Sequence, residues 1–133
     1  MLVDDNEADV EFTLSALRSA KFANPVEVSC DGAEALAWIA RWEAGEPTPV
    51  VILLDINMPK VNGIEVVRQL KAHPVLRAIP VVMLTTSSSA PDVTAAYRGG
   101  ANSYIVKPVN FDEFTQVMAQ IGRYWVKLNK SAE

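Results

Sequence analysis

Residues 50–54, Val-Val-Ile-Leu-Leu, are apolar at every position. A strand with one face in water alternates apolar and polar residues, so this run calls for a strand covered by helices on both faces, as in a parallel sheet. The remaining chain supplies the covering layers. Apolar runs at 1–3, 81–84 and 104–106, with Val26 and Val28 alternating in a second short strand, interleave with helix-period segments in the pattern of five βα units. Residues 50–54 are the expected central strand. The first strand has only three residues ahead of Asp4, fewer than the usual five or six, and is either short or continued by residues before Met1.

The helices follow from spacing and punctuation. Asn6 caps the first, whose buried stripe is Val10, Leu14 and Leu17. Asp31-Gly32 turns into the second, with Leu36, Ile39 and Ala40 on its face and Gly45 as its stop. Ile64, Val67 and Leu70 carry the third, which ends before Pro74, while Pro91 suits the first turn of the fourth and Gly99-Gly100 ends it. Asn110 and Glu113 form a capping box for the last helix, along which Phe114, Val117, Met118, Ile121, Trp125 and Leu128 make one apolar stripe. With 133 residues and no internal linker, positions 1–133 read as one domain, with 122–133 an extended end of the last helix.

The strand ends carry the chemistry. Asp4 and Asp5 follow the first strand, Asp55 the third, Thr85 the fourth and Lys107 the fifth. In an open parallel sheet the carboxyl ends of the strands share one edge, where ligands bind, so these five residues meet in one pocket. Carboxylates brought together repel unless a cation sits among them or one takes up a proton, which points to a hard divalent metal such as Mg²⁺. A lysine and a hydroxyl beside it add donors for a phosphoryl group.

Composition narrows the partners. A net charge of −4 without any basic run argues against nucleic acid, and no stretch approaches the twenty or so apolar residues of a membrane span. A lone cysteine, Cys30, and no visible signal peptide make the reducing cytoplasm the expected compartment. Cys30 reads as a small apolar filler, His73 as a surface loop residue, and Ser87, Ser88 and Ser89 as caps or a phosphate-sensing loop. Trp38 and Trp42 read equally as a partner surface or as packing against the link at 47–49.

Taken together, Asp4-Asp5, Asp55-Ile56-Asn57-Met58-Pro59 with Gly63, Thr85-Thr86 and Tyr104-Ile105-Val106-Lys107-Pro108 resemble the response regulator receiver domain over essentially the whole length. The resemblance implies a doubly wound α/β fold of flavodoxin-like type, with a five-stranded parallel sheet of order 2-1-3-4-5. It implies Asp55 as phosphoacceptor, Asp5 as a direct Mg²⁺ ligand, Asp4 as a ligand through water and the Asn57 carbonyl as another. Lys107 then pairs with the phosphoryl oxygens, Thr85 donates its hydroxyl, and Tyr104 is the aromatic that turns inward with Thr85. The Lys107–Pro108 bond is expected to be cis, and Ser87 to tune hydrolysis of the acyl phosphate. The partner implied is a sensor histidine kinase, and the protein is a phosphoacceptor rather than an enzyme.

The segments Asn6-Glu7-Ala8-Asp9, Thr85-Thr86-Ser87-Ser88, Ala101-Asn102-Ser103-Tyr104, Lys107-Pro108-Val109-Asn110 and Tyr124-Trp125 are similar to the stand-alone regulators of phytochrome-type histidine kinases. Alternatives are a receiver fragment of a hybrid kinase or larger regulator, a Mg²⁺-dependent phosphohydrolase, and a flavodoxin-like cofactor carrier. The hydrolase needs a second acid where Asn57 stands. The carrier needs phosphate donors where Asp4 and Asp5 stand. Because an apolar stripe continued past the core usually meets another chain, a homodimer is expected, with Phe114, Met118, Ile121, Trp125 and Leu128 as interface candidates.

Overall fold

In the computed structural model, which describes residues 1–131, the apolar run forms the strand Ile52–Leu54 (β3) at the centre of a five-stranded sheet. Its companions are Leu2–Val3 (β1), Val28–Ser29 (β2), Val81–Thr85 (β4) and Ser103–Val106 (β5). The helices are Glu7–Ser19 (α1), Gly32–Glu43 (α2), Gly63–Ala72 (α3), Ala90–Gly99 (α4) and Phe111–Ile121 (α5). Every strand pair is parallel, in the order β2-β1-β3-β4-β5, as the receiver resemblance implies.

Strand periodicity divides the interior into two cores, because successive side chains point to opposite faces. Val3, Ile52, Leu54, Val81 and Met83 face α2, α3 and α4, where Ala35, Trp42, Val66, Val67, Leu70 and Ala96 meet them. Leu2, Leu53, Val82 and Leu84 face α1 and α5, and pack on Ala16, Leu17, Phe114, Met118 and Ile121. Each helix opens on a side-chain cap: Asn6, Asp31, Asn62, Ser89 and Asn110 each accept from the backbone N–H three residues on.

Three helix faces differ from the expected stripes. On α1, Thr13, Ala16 and Leu17 are buried, and Val10 and Leu14 pack at the margin. On α2, Ala35 and Trp42 are buried, Leu36 and Ile39 only partly so, and Ala40 is exposed. The seven-residue spacing of Ala35 and Trp42 puts them on one side, and the large indole moves the buried arc toward α3. Trp42 is thus core, while Trp38 lies partly exposed beneath the Arg41 guanidinium, 3.7 Å from its ring centroid. The third difference concerns the expected dimer face. Phe114, Met118 and Ile121 are instead core residues, at most 5% exposed, because α5 must cover the sheet face that it shares with α1. Beyond them a π-helical segment, Gly122–Leu128, continues the helix; Trp125 is half-buried against the core and Leu128 is 64% exposed. The last two positions of the 122–133 extension lie outside the described residues.

Two polar devices fix the loops opposite the strand ends. Lys71 Nζ donates to the carbonyls of Arg77 and Ile79 and to Asn102 Oδ1, tying the end of α3 to the turns that lead into β4 and β5. His73 is no idle loop residue, since its Nδ1 accepts from the backbone N–H of Val75 and Leu76 and its Nε2 meets Glu43 at 3.2 Å. Cys30 is exposed rather than a filler.

Gly63, the first residue of α3, packs directly on the backbone behind the strand-end aspartate. A Cβ there would lie 2.0 Å from the Asp55 carbonyl oxygen, a contact that only backbone movement can relieve. Gly63→Ala should therefore destabilise the fold by roughly 1–3 kcal/mol, the usual cost of overpacking. A urea melt should show a lower midpoint with an unchanged m-value.

Candidate functional site

The parallel ladder sets the strand ends side by side. Asp4 N–H donates to the Ser29 carbonyl, Asp55 N–H to Val3, and Lys107 N–H to Thr85, at 2.7 to 3.1 Å, so each reactive residue sits one step past paired backbone. Asp4 and Thr85 are buried, Asp55 is 9% exposed and Asp5 is open to solvent. Carboxylate oxygens of Asp4, Asp5 and Asp55 lie within 4.8 Å of one another. All five residues expected at the shared edge are brought together, with Asn57 exposed in the loop two residues beyond Asp55.

The cluster is held by hydrogen bonds as well as by the sheet. Asp4 uses both oxygens: Oδ1 accepts from Asn6 N–H at 3.0 Å and Oδ2 from Lys107 Nζ at 2.7 Å. The Lys107 side chain is 8% exposed and lies 3.7 Å from a second carboxylate, that of Asp9 in the first turn of α1. Lys107 reaches this place with the Lys107–Pro108 bond trans, as are all peptide bonds among the described residues, so the expected cis bond is absent. Asp55 Oδ1 accepts from Ile56 N–H at 2.8 Å.

Burial pushes the Asp55 carboxyl above the ordinary range; the Thr85 hydroxyl, the Lys107 ammonium and the Ile56 N–H pull it back, while the Asp4 charge adds to the rise. Three ionised carboxylates and one ammonium leave two negative charges uncompensated. That donor set suits a hard divalent ion, with the exposed Asp5 open to it and Asp4 already shared with Lys107.

Tyr104 is half-buried against the α3–α4 side of the core, and its hydroxyl donates to the Ser87 carbonyl at 2.8 Å. Ser87 N–H donates to Thr85 Oγ1 at 3.3 Å, and Ser87 Oγ donates to Asp92 Oδ2 at 2.6 Å. Neither Asp9 nor Asp92 stands out in the sequence as part of the site. The only signal is an acidic residue in the first turn of a helix that begins just after a reactive strand end.

A carboxylate whose folded-state pKa is raised stabilises the fold only when protonated. Its contribution is present below the ordinary carboxylate range and is lost as pH rises through the raised value. In metal-free buffer near neutral pH, Asp55→Asn should therefore melt several degrees higher than wild type. The gap should close as pH falls below the ordinary carboxylate range; an Asn variant less stable at neutral pH would contradict the electrostatic account.

Comparison with known proteins agrees with this architecture. The sequence pattern of the Response regulator receiver domain matches residues 1–119. The probable methanogenesis regulatory protein FilR2 of Methanothrix harundinacea is 39% identical over 132 residues, covering 98% of this chain and 85% of its own. Response regulator Rcp1 of Synechocystis is 34% identical over 129 residues, covering 96% and 88%. Its Mn²⁺-bound form superposes with a TM-score of 0.86 at 32% identity, over 99% of this chain and 96% of that one. The phosphorylated cyanobacterial phytochrome response regulator RcpA superposes with a TM-score of 0.89 at 34% identity, over 99% and 96%. With motifs, sheet order and strand-end cluster all in accord, the chain belongs to the response regulator receiver domain family of two-component signalling.

Proposed function

We propose that Asp55 accepts a phosphoryl group from a phosphohistidine of a sensor kinase, and that Mg²⁺ is held by Asp5, Asp55, the Asn57 carbonyl and, through water, Asp4. The observation that carries this reading is the convergence of Asp4, Asp5 and Asp55 within 4.8 Å, beside a buried lysine. An Asp55 carboxylate oxygen attacks phosphorus in line, the O–P bond forms, the N–P bond to histidine breaks, and the imidazole leaves with the electron pair. A bound divalent ion supplies charge neutralisation at the phosphoryl oxygens. Lys107 then leaves Asp4 for a phosphoryl oxygen, and the Thr85 hydroxyl, now beside Asp55, donates to another. Tyr104 and the segment joining β4 to α4 follow Thr85, which alters the surface offered to partners.

Turnover is not part of this function. Asn57 stands where an aspartyl-phosphate hydrolase needs a second acid, so the product is a persistent phosphoprotein with slow self-dephosphorylation. The kinase is of the phytochrome type, on the strength of the likeness to RcpA. The setting is cytoplasmic, and positions 1–133 act as one receiver unit. Among the described residues no helix is long and apolar enough to cross a membrane.

Acetyl phosphate with Mg²⁺ should label the wild-type chain, and Asp55→Asn should lose all detectable label while keeping its circular dichroism. Labelling of that variant at a rate near wild type would move the acceptor elsewhere.

This reading includes a homodimer joined by the end of the last helix. Leu128 is 64% and Tyr124 52% exposed, and Tyr124 packs edge-on against Trp125 at 4.9 Å, an apolar cluster that a second copy would cover. Replacing Trp125 and Leu128 with charged residues should give a monomer in light scattering that still takes up phosphate at Asp55. A wild-type chain that is monomeric at high concentration, with and without a phosphoryl mimic, would remove the dimer.

A further inference from the structure

Ser87 is gripped at three atoms. Its N–H donates to Thr85 Oγ1, its carbonyl accepts from the Tyr104 hydroxyl, and its own hydroxyl donates to Asp92 Oδ2 at 2.6 Å. Thr85 and Tyr104 belong to the proposed switch, whereas Asp92 belongs to the first turn of α4 and touches neither Asp55 nor the acidic cluster. An ionised acceptor makes the Ser87–Asp92 bond the short, strong member of the set. Asp92 is itself anchored, since its backbone N–H donates to the Ser89 cap at 3.3 Å and its carboxylate lies at the positive end of the helix.

We infer that Asp92 is a positioning residue that sets the lifetime of the phosphoryl group: by clamping the Ser87 hydroxyl it ties the segment between β4 and α4 to the helix, and so fixes the Ser87 backbone that bonds Thr85 and Tyr104. Releasing the clamp frees the segment between β4 and α4 from the helix and opens it to solvent.

The inference rests on Asp55 being the acceptor, and the test separates the two claims. Wild type, Asp92→Ala, Asp92→Asn and Ser87→Ala are labelled with acetyl phosphate, and loss of label is followed after removal of the donor. Asp92→Ala should shorten the half-life by roughly three- to tenfold, the scale of one net hydrogen bond. Asp92→Asn, whose amide oxygen still accepts from Ser87, should stay close to wild type. Ser87→Ala should match Asp92→Ala, and the double variant should be no faster than either alone, because both remove the same bond. In the unlabelled protein the Tyr104 ring resonances should move in Asp92→Ala and not in Asp92→Asn. A merely structural role would lower the melting temperature of both Asp92 variants without this rescue. If wild type takes no label, the acceptor reading falls and the inference with it. If wild type is labelled and Asp92→Ala has an unchanged or longer half-life, or Asp92→Asn behaves like Asp92→Ala, the inference alone is overturned.

Discussion

Two buried aspartates, Asp4 and Asp55, with carboxylate oxygens less than 4.8 Å apart repel by an amount on the order of 3–4 kcal/mol at an effective dielectric constant near 20, and the fold is arranged around that repulsion. Lys107 is the internal answer. Its ammonium lies 2.7 Å from Asp4 and is itself buried, so the pair is part of the interior rather than a surface ornament. The compensation is incomplete, because one ammonium serves three carboxylates, and burial, with a smaller push from the Asp4 charge, raises the Asp55 carboxyl above the ordinary range. A site built this way carries an excess of negative charge that suits a hard divalent cation.

The backbone pays for this placement elsewhere. Asp55 can sit at the end of β3 only because Gly63 lets α3 start directly against its carbonyl, and because the two cores grip alternate residues of the same short strands. Leu54 is buried toward α3, Leu53 toward α5, and the next residue in line is the acid. Covering a sheet on both faces thus leaves its carboxyl edge as the place where polar groups can gather.

A chain of contacts leads outward from that edge. Thr85 bonds Ser87, Ser87 bonds Tyr104 and Asp92, and Asp92 is part of α4. Thr85, Ser87, Tyr104 and Asp92 thus form a continuous set of contacts between the site edge and the α4 surface. Such a chain needs only two arrangements of similar energy to act as a switch, with the phosphoryl group biasing between them.

The sheet order's basic unit, the alternation of strands and helices, is written in residue spacing, and so is the gathering of Asp4, Asp5, Asp55, Thr85 and Lys107, because any parallel sheet aligns the residues that end its strands. Caps such as Asn6 and Asn110 are equally local, since each bonds three residues ahead. What spacing does not contain is the distance between elements. That Lys107 pairs with Asp4 across 103 positions, that Trp42 rather than Ala40 turns inward on α2, and that Phe114, Met118 and Ile121 are spent on the core while Leu128 is not, depend on how helices lean on the sheet. The surroundings of Ser87 are the clearest case: its bond to Asp92 is local, five residues along the chain, but the Tyr104 hydroxyl that donates to its carbonyl comes from β5, seventeen residues away, and reaches it only because β5 lies beside β4 in the sheet.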